Sequence, residues 1–134
     1  MSKIIVYTHS DCLLKDNGEN HPEKKERLKA ILQSIQEISN IDIEIRNSTI
    51  AKFNDICLVH PLEYLKNIFS LIPNSGLKSI ENEPYADTFL CPNSKNAILR
   101  SCGAGIAAAD CLIKENEKRI FCAVRPPGHH AETV

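Results

Sequence analysis

Apolar positions recur along this chain with the two spacings that are typical of strands and helices. Lys3 to Tyr7 is a short apolar, β-branched run, which predicts a buried strand. Ile41 to Ile45 alternates apolar with acidic residues and predicts a strand with one buried face. Arg119 to Val124 is apolar without alternation, so we expect a strand that is buried on both faces.

Stretches with helical spacing separate these strands. A helix is predicted from Pro22 to Ile38, because proline suits the first turn and apolar residues then recur every three or four positions. Further helices are predicted at Asn54–Leu58, Pro61–Ile72 and Asn93–Lys114, and a loop at Pro73–Tyr85. The long last helix is expected to pack through one apolar stripe, made of Ile98, Cys102, Gly105, Ile106, Ala109, Leu112 and Ile113.

Strands that alternate with helices indicate an α/β fold, with an open, mostly parallel sheet and flanking helices. The length of 134 residues fits one domain with a single core. A net charge of -1 gives no electrostatic reason to expect nucleic acid or an anionic membrane as partner. The sequence suggests no apolar run of the roughly 18 to 20 residues that span a bilayer, and no signal peptide. We therefore expect a cytoplasmic protein that has no direct nucleic-acid or membrane partner.

The six cysteines lack C-x-x-C spacing, and several lie in apolar runs. We expect them to be free thiols that act as small buried hydrophobic residues, with a metal cluster as the alternative. Cys12 falls in a predicted loop and is expected to be the most exposed of them.

The segment RPPGHHA, residues 125–131, carries the clearest chemistry. It follows a predicted strand, and in open α/β sheets the chemistry gathers beyond the carboxyl ends of the strands. Two prolines stiffen the segment, and Gly128 permits a tight turn or a close approach to a ligand. His129 and His130 are then held ready for proton transfer near neutral pH. A surface turn with backbone-capping histidines and a metal held by both rings are the alternatives.

This segment resembles the histidine-pair motif of the zinc-dependent histone deacetylase family, which includes acetylpolyamine and acetoin-utilisation amidohydrolases. Supporting segments occur in the family's order at HPEKKERLKAI (21–31), LVHPLEYL (58–65) and DTFLCPNSKNAILRSCGAG (87–105). The resemblance implies an open sheet of the arginase and deacetylase type. It covers almost the whole sequence but only the first part of the family's domain, so residues 1–134 are expected to be the N-terminal part of one truncated domain.

The resemblance also implies roles for individual residues. His130 would be the general base for a zinc-bound water, with His129 as its electrostatic or acid partner. Arg27 would lie near the departing acyl group, unless it is a solvated helix residue, and Asp87 would touch substrate at the rim, unless it only shapes a turn. Gly128 would let the backbone approach the substrate. Packing, capping or loop-anchoring roles are expected for three further residues, His21, His60 and Tyr64.

The departures from the family pattern concern the metal. The family holds zinc with an Asp-x-His pair and a further Asp, and it polarises the carbonyl with a late tyrosine; all of these lie downstream of the histidine pair. This chain has no Asp-x-His, and its six aspartates and three tyrosines all precede the pair. Zinc is therefore expected in the intact family enzyme and not as a specific ligand of this chain.

The resemblance implies a chain that is inactive alone but derives from an enzyme hydrolysing acetylated amines, of the acetyl-lysine or acetylpolyamine class. Its expected partners are the acetylated substrate in the intact enzyme, and either a complementing C-terminal chain or further copies of itself. The alternative function is a non-catalytic or degenerate subunit that acts only by association.

Overall fold

The computed structural model of the protein describes residues 3–116 and 119–134. Its strands are β1 (Lys3–Thr8), β2 (Asp42–Asn47), β3 (Lys78–Ser79), β4 (Phe89–Leu90) and β5 (Ile120–Cys122). Its helices are α1 (Lys25–Glu37), α2 (Phe53–Ile56), α3 (Leu62–Ser70), α4 (Ser94–Lys114) and a short 3-10 helix (Ser10–Leu13). The predicted alternation of strands and helices is confirmed, with most boundaries shifted by one to three residues.

A parallel sheet of three strands, in the order β2-β1-β5, forms the centre of the fold. Successive side chains of β1 point to opposite faces of this sheet. Ile5 and Tyr7 pack with Ala104 and Cys111 of α4 on one face. On the other face, Val6 packs with Leu28 of α1. This layering confirms the predicted open, mostly parallel α/β fold.

Helix α4 contacts the sheet through small residues, so the predicted packing stripe is largely wrong. The buried face contains Ala97, Ala104 and Cys111, which lie seven residues apart on one side of the helix. A Cβ added to Gly103 would lie 1.8 Å from the carbonyl oxygen of Thr49, so the backbones approach too closely for a larger side chain. The stripe residues that are exposed instead are Cys102, Gly105, Ala109, Leu112 and Ile113.

Three smaller expectations also need correction. Phe121 is 47% exposed, so β5 is not buried on both faces, because its side chain lines an open cleft beside α1. Cys12 lies in the 3-10 helix and is fully buried, and Cys102 is the exposed cysteine. The predicted loop at 73–85 contains β3, which pairs with β4 in antiparallel fashion. All six cysteines are free, as expected.

The length and composition of α4 would allow it to cross a membrane, which contradicts the expectation that no run of this kind is present. Core helices of soluble proteins can have the same length and apolar composition. Here α4 packs against β1 and β5 through Ala104 and Cys111.

Candidate functional site

The segment Arg125–Ala131, called the histidine loop below, leaves the carboxyl end of β5. This is the sheet edge at which we expected chemistry to gather. Ser101 of α4 donates a hydrogen bond to the Pro126 carbonyl oxygen at 2.7 Å. The rings of His129 and His130 lie with their centroids 4.2 Å apart, and both residues are exposed in the described chain. The structure therefore holds the two imidazoles side by side at the predicted place.

Arg125 fixes the start of the histidine loop. The residue is 3% exposed. Its Nε and Nη2 donate to the two carboxylate oxygens of Glu23 at 2.7 and 2.9 Å. Its Nη1 donates to the carbonyl oxygens of Cys12 and Lys15 at 2.9 and 2.6 Å. The planar guanidinium thus joins the loop to Glu23, to the 3-10 helix and to the residues that directly follow that helix.

Charged and polar side chains surround the pair of Glu23 and Arg125. Burial by itself raises the pKa of Glu23, but the hydrogen bond and positive charge of Arg125 outweigh it, so the pKa of this carboxyl is lowered. Asn17 also donates to a Glu23 carboxylate oxygen at 2.6 Å. Lys15, which bonds to the Asn17 side chain, has its pKa lowered by burial. Glu23 is consequently an ionised, fully bonded carboxylate at neutral pH.

The contact between Glu23 and Arg125 was not identified from the sequence. A signal was present, because an arginine directly after an apolar strand can be buried only with a partner. The partner itself could not be identified, since Glu23 lies 102 residues away in sequence.

Asp87, the predicted rim residue, is attached to the same segment through its backbone. The Nδ1 of His21 accepts from the Glu23 N–H at 3.0 Å, and its Nε2 bonds to the Asp87 carbonyl oxygen at 2.6 Å. Since Nδ1 is the acceptor, we assign the ring proton to Nε2. The predicted loop-anchoring role of His21 is therefore confirmed. The Asp87 side chain is exposed, and its contact with substrate stays a prediction.

Arg27 and Gly128 lie in different surroundings. Arg27 lies on α1 and lines a cleft together with Phe121 and Pro127, beside β5. Apart from its chain neighbours, no described residue has an atom within 4 Å of a Cβ built on Gly128. Its carbonyl oxygen accepts from the Ala131 N–H at 2.9 Å, which closes a turn. Roles near the acyl group and the substrate stay predictions for both residues.

His60 and Tyr64 behave as the packing and capping residues that we expected. Their rings are 5.4 Å apart. The Nδ1 of His60 also bonds to the Thr133 carbonyl oxygen at 2.9 Å, and so contacts the segment that follows the histidine loop.

The described residues do not form a zinc site. Across residues 3–116 and 119–134, no group of three or more His, Cys, Asp or Glu side chains is arranged to hold a metal ion. Structural zinc takes four protein ligands and catalytic zinc takes three, so the histidine pair alone is too small a set.

Comparisons with known proteins give a consistent result. The sequence model described as "Histone deacetylase domain" matches residues 21–134. Histone deacetylase 10, chloroplastic, of Oryza sativa is 31% identical, and the match covers 95% of this chain and 31% of that protein. The histone deacetylase-like amidohydrolase of Pseudomonas aeruginosa is 31% identical over 81% of this chain and 27% of its own length.

Among solved structures, the crystal structure of the HDA15 HD domain aligns with a TM-score of 0.82 at 24% identity. That alignment covers 98% of this chain and 37% of the HDA15 chain, so it shows the fold. The matches thus span 31%, 27% and 37% of the lengths of these three proteins.

Proposed function

The chain belongs to the histone deacetylase family, and from this membership we propose that it supplies the histidine-pair portion of an enzyme that removes acetyl groups from amines. The observation that carries the proposal is the histidine loop, which presents His129 and His130 together at the carboxyl edge of a parallel sheet. We further propose that residues 1–134 form the N-terminal part of a single deacetylase domain.

The proposed reaction is the hydrolysis of an amide to acetate and a free amine. Water attacks the acetyl carbonyl carbon and gives a proton to His130; the C–N bond then breaks, and the leaving nitrogen takes up a proton. His129 lies beside His130 and would stabilise the charge that develops there, or supply the proton to the amine. Zinc belongs to the proposed intact enzyme, but the described residues do not form its site. Proton transfer and positioning are therefore the tasks assigned to this chain.

Three further residues are assigned contacts with the substrate. Arg27 would face the acetyl end, since its cleft adjoins β5 immediately before the histidine loop. Asp87 would contact substrate at the rim, and Gly128 would let the backbone approach it. The substrate class proposed is acetyl-lysine or acetylated polyamine.

A C-terminal polypeptide of the same family is the proposed partner. The exposed side chain of Phe121 on β5 supports this, because a further strand at that edge would cover it. We propose that residues 1–134 alone do not deacetylate, and that the protein acts in the cytoplasm. Self-association through the same edge is the competing outcome.

The test joins residues 1–134 to the C-terminal remainder of the Pseudomonas aeruginosa amidohydrolase. In this chimera, His130→Ala should lower the hydrolysis of an acetyl-lysine peptide by about 10²- to 10⁴-fold, because a general acid–base group is lost. Zinc content should stay unchanged, since His130 is not assigned as a ligand.

Lys29→Ala, an exposed change on α1, is the control and should keep full activity. Activity that survives His130→Ala, or zinc content that falls with activity, would contradict the assignment. A matched assay on an acetylated polyamine separates the two substrate classes.

A further inference from the structure

The histidine loop has few attachments besides Arg125. Pro126 and Pro127 have no N–H to donate. The Pro126 carbonyl oxygen accepts one bond from Ser101. Gly128, His129 and His130 are exposed. By contrast, Arg125 is buried and donates to Glu23, Cys12 and Lys15.

Glu23 connects this attachment to the segment between β3 and β4 that contains Asp87, called the loop of Asp87 below. Its carboxylate accepts two bonds from Arg125. Its backbone N–H donates to His21, whose other ring nitrogen bonds to the Asp87 carbonyl oxygen. One continuous set of hydrogen bonds therefore runs from the histidine loop through Arg125, Glu23 and His21 to Asp87. It joins segments that are about 60 to 100 residues apart in sequence.

We propose that Glu23 and Arg125 are positioning residues that fix the histidine loop relative to the loop of Asp87. The structural part of this inference stands on the hydrogen bonds above; its catalytic part rests on the proposed function. The bidentate pairing suits the role, because two parallel bonds define the orientation of a guanidinium as well as its distance. A lysine at position 125 would keep the charge but lose that orientation.

The first experiment measures backbone order in the 134-residue chain by ¹⁵N relaxation. In the wild type, residues 128–131 should have order parameters near those of rigid backbone, about 0.85. R125K and E23Q should both lower these values towards the flexible range, below about 0.6. His21→Ala should lower the values at Asp87 and Thr88 and leave the histidine loop ordered.

R46K is the matched control. Arg46 also pairs with carboxylates, Glu44 and Glu115, but it lies on β2 at the opposite edge of the sheet from β5. It should therefore lower the melting temperature without changing the order of the histidine loop.

Three results would overturn the proposal. The first is a histidine loop that is already flexible in the wild type, which needs no variant to detect. The second is unchanged order at residues 128–131 in R125K or E23Q despite a lowered melting temperature. The third is a loss of order in R46K equal to that in R125K. If R125K does not fold, E23Q, which retains the shape of the side chain, decides the matter.

The second experiment places R125K in the chimera described above. The value of kcat should fall about 10- to 100-fold with KM nearly unchanged, because misplaced histidines slow proton transfer without removing a substrate contact. R46K should leave kcat unchanged. A chimera that stays fully active with His130→Ala would refute the proposed function. The ¹⁵N relaxation data would still test whether Glu23 and Arg125 hold the histidine loop in place.

Discussion

At the scale of single residues, the pair formed by half-buried Glu23 and buried Arg125 differs in kind from the exposed pairs of this protein. Lys66 with Glu63 and Lys114 with Asp110 are exposed pairs on helices, which typically contribute less than about 1 kcal/mol. Removing one partner of a fully buried pair costs about 3 to 5 kcal/mol, because the other charge stays buried without compensation. The Glu23 side chain is 19% exposed, and Arg125 keeps its bonds to two carbonyl oxygens, so the expected cost of removing Glu23 is smaller. Substitutions at Glu23 should thus affect stability as well as loop order.

The same carboxylate predicts how stability depends on pH. The pKa of Glu23 is lowered in the folded protein, so its contribution is fully present above the unfolded pKa of glutamic acid, about 4.3. The contribution is lost as the pH falls below that value, through the folded pKa. Urea unfolding measured from pH 7 down to pH 3 should show a steeper acid loss in the wild type than in E23Q. Parallel curves for the two proteins would show that Glu23 is not the group responsible.

At the scale of elements, helix α4 lies close to the loop that follows β2. Alanine substitutions at two glycines of this helix should therefore have opposite effects on stability. Gly103→Ala should destabilise the protein by about 1 to 3 kcal/mol, because its Cβ would lie 1.8 Å from the Thr49 carbonyl oxygen. Gly105→Ala should stabilise it by about 0.5 to 1 kcal/mol, since its Cβ would meet no described atom within 4 Å apart from its chain neighbours and the adjacent backbone of the same helix, and alanine favours helix. Thermal or chemical unfolding of both variants checks the pair, and equal effects would contradict the packing described.

The same helix shows what sequence can predict. Its existence and length followed from apolar composition and spacing, and so did the three strands of the parallel sheet. Its buried face did not, because α4 is apolar on more than one side and close packing selected the small residues over Leu112 and Ile113. The histidine pair was found because its residues are adjacent. Its connection to Glu23 was not, since hydrogen bonds between distant segments leave no periodic signal.

At the scale of the whole molecule, β5 forms one edge of the parallel sheet in the described chain. The Arg119 carbonyl oxygen accepts from Ile5, and the Ala123 N–H donates to Tyr7, so alternate residues of this strand bond to β1. The backbone groups of Ile120 and Cys122 therefore point to the other side. An edge with unpaired backbone groups and an exposed Phe121 favours association with another strand.

We accordingly expect the mass of the purified 134-residue chain in solution to rise with concentration. Phe121→Lys should reduce this association, because a charged side chain at a sheet edge opposes the pairing of a second strand. Sedimentation velocity over a range of concentrations measures the effect. Leu58→Lys, which changes an equally apolar side chain that is 85% exposed, is the control for a general gain in solubility. A wild-type chain that is monomeric at all concentrations would contradict the expectation.

The sequence distance between Glu23 and Arg125 also has a consequence for biosynthesis. The two residues are 102 positions apart, and ribosomes add about 5 to 20 residues per second. The carboxylate of Glu23 and the carbonyl groups of Cys12 and Lys15 are therefore made about 5 to 20 s before the guanidinium that they bind. During that interval they remain hydrated or bind other groups. The arrangement of the two imidazoles is thus completed late, only once Arg125 has been synthesised and can reach Glu23.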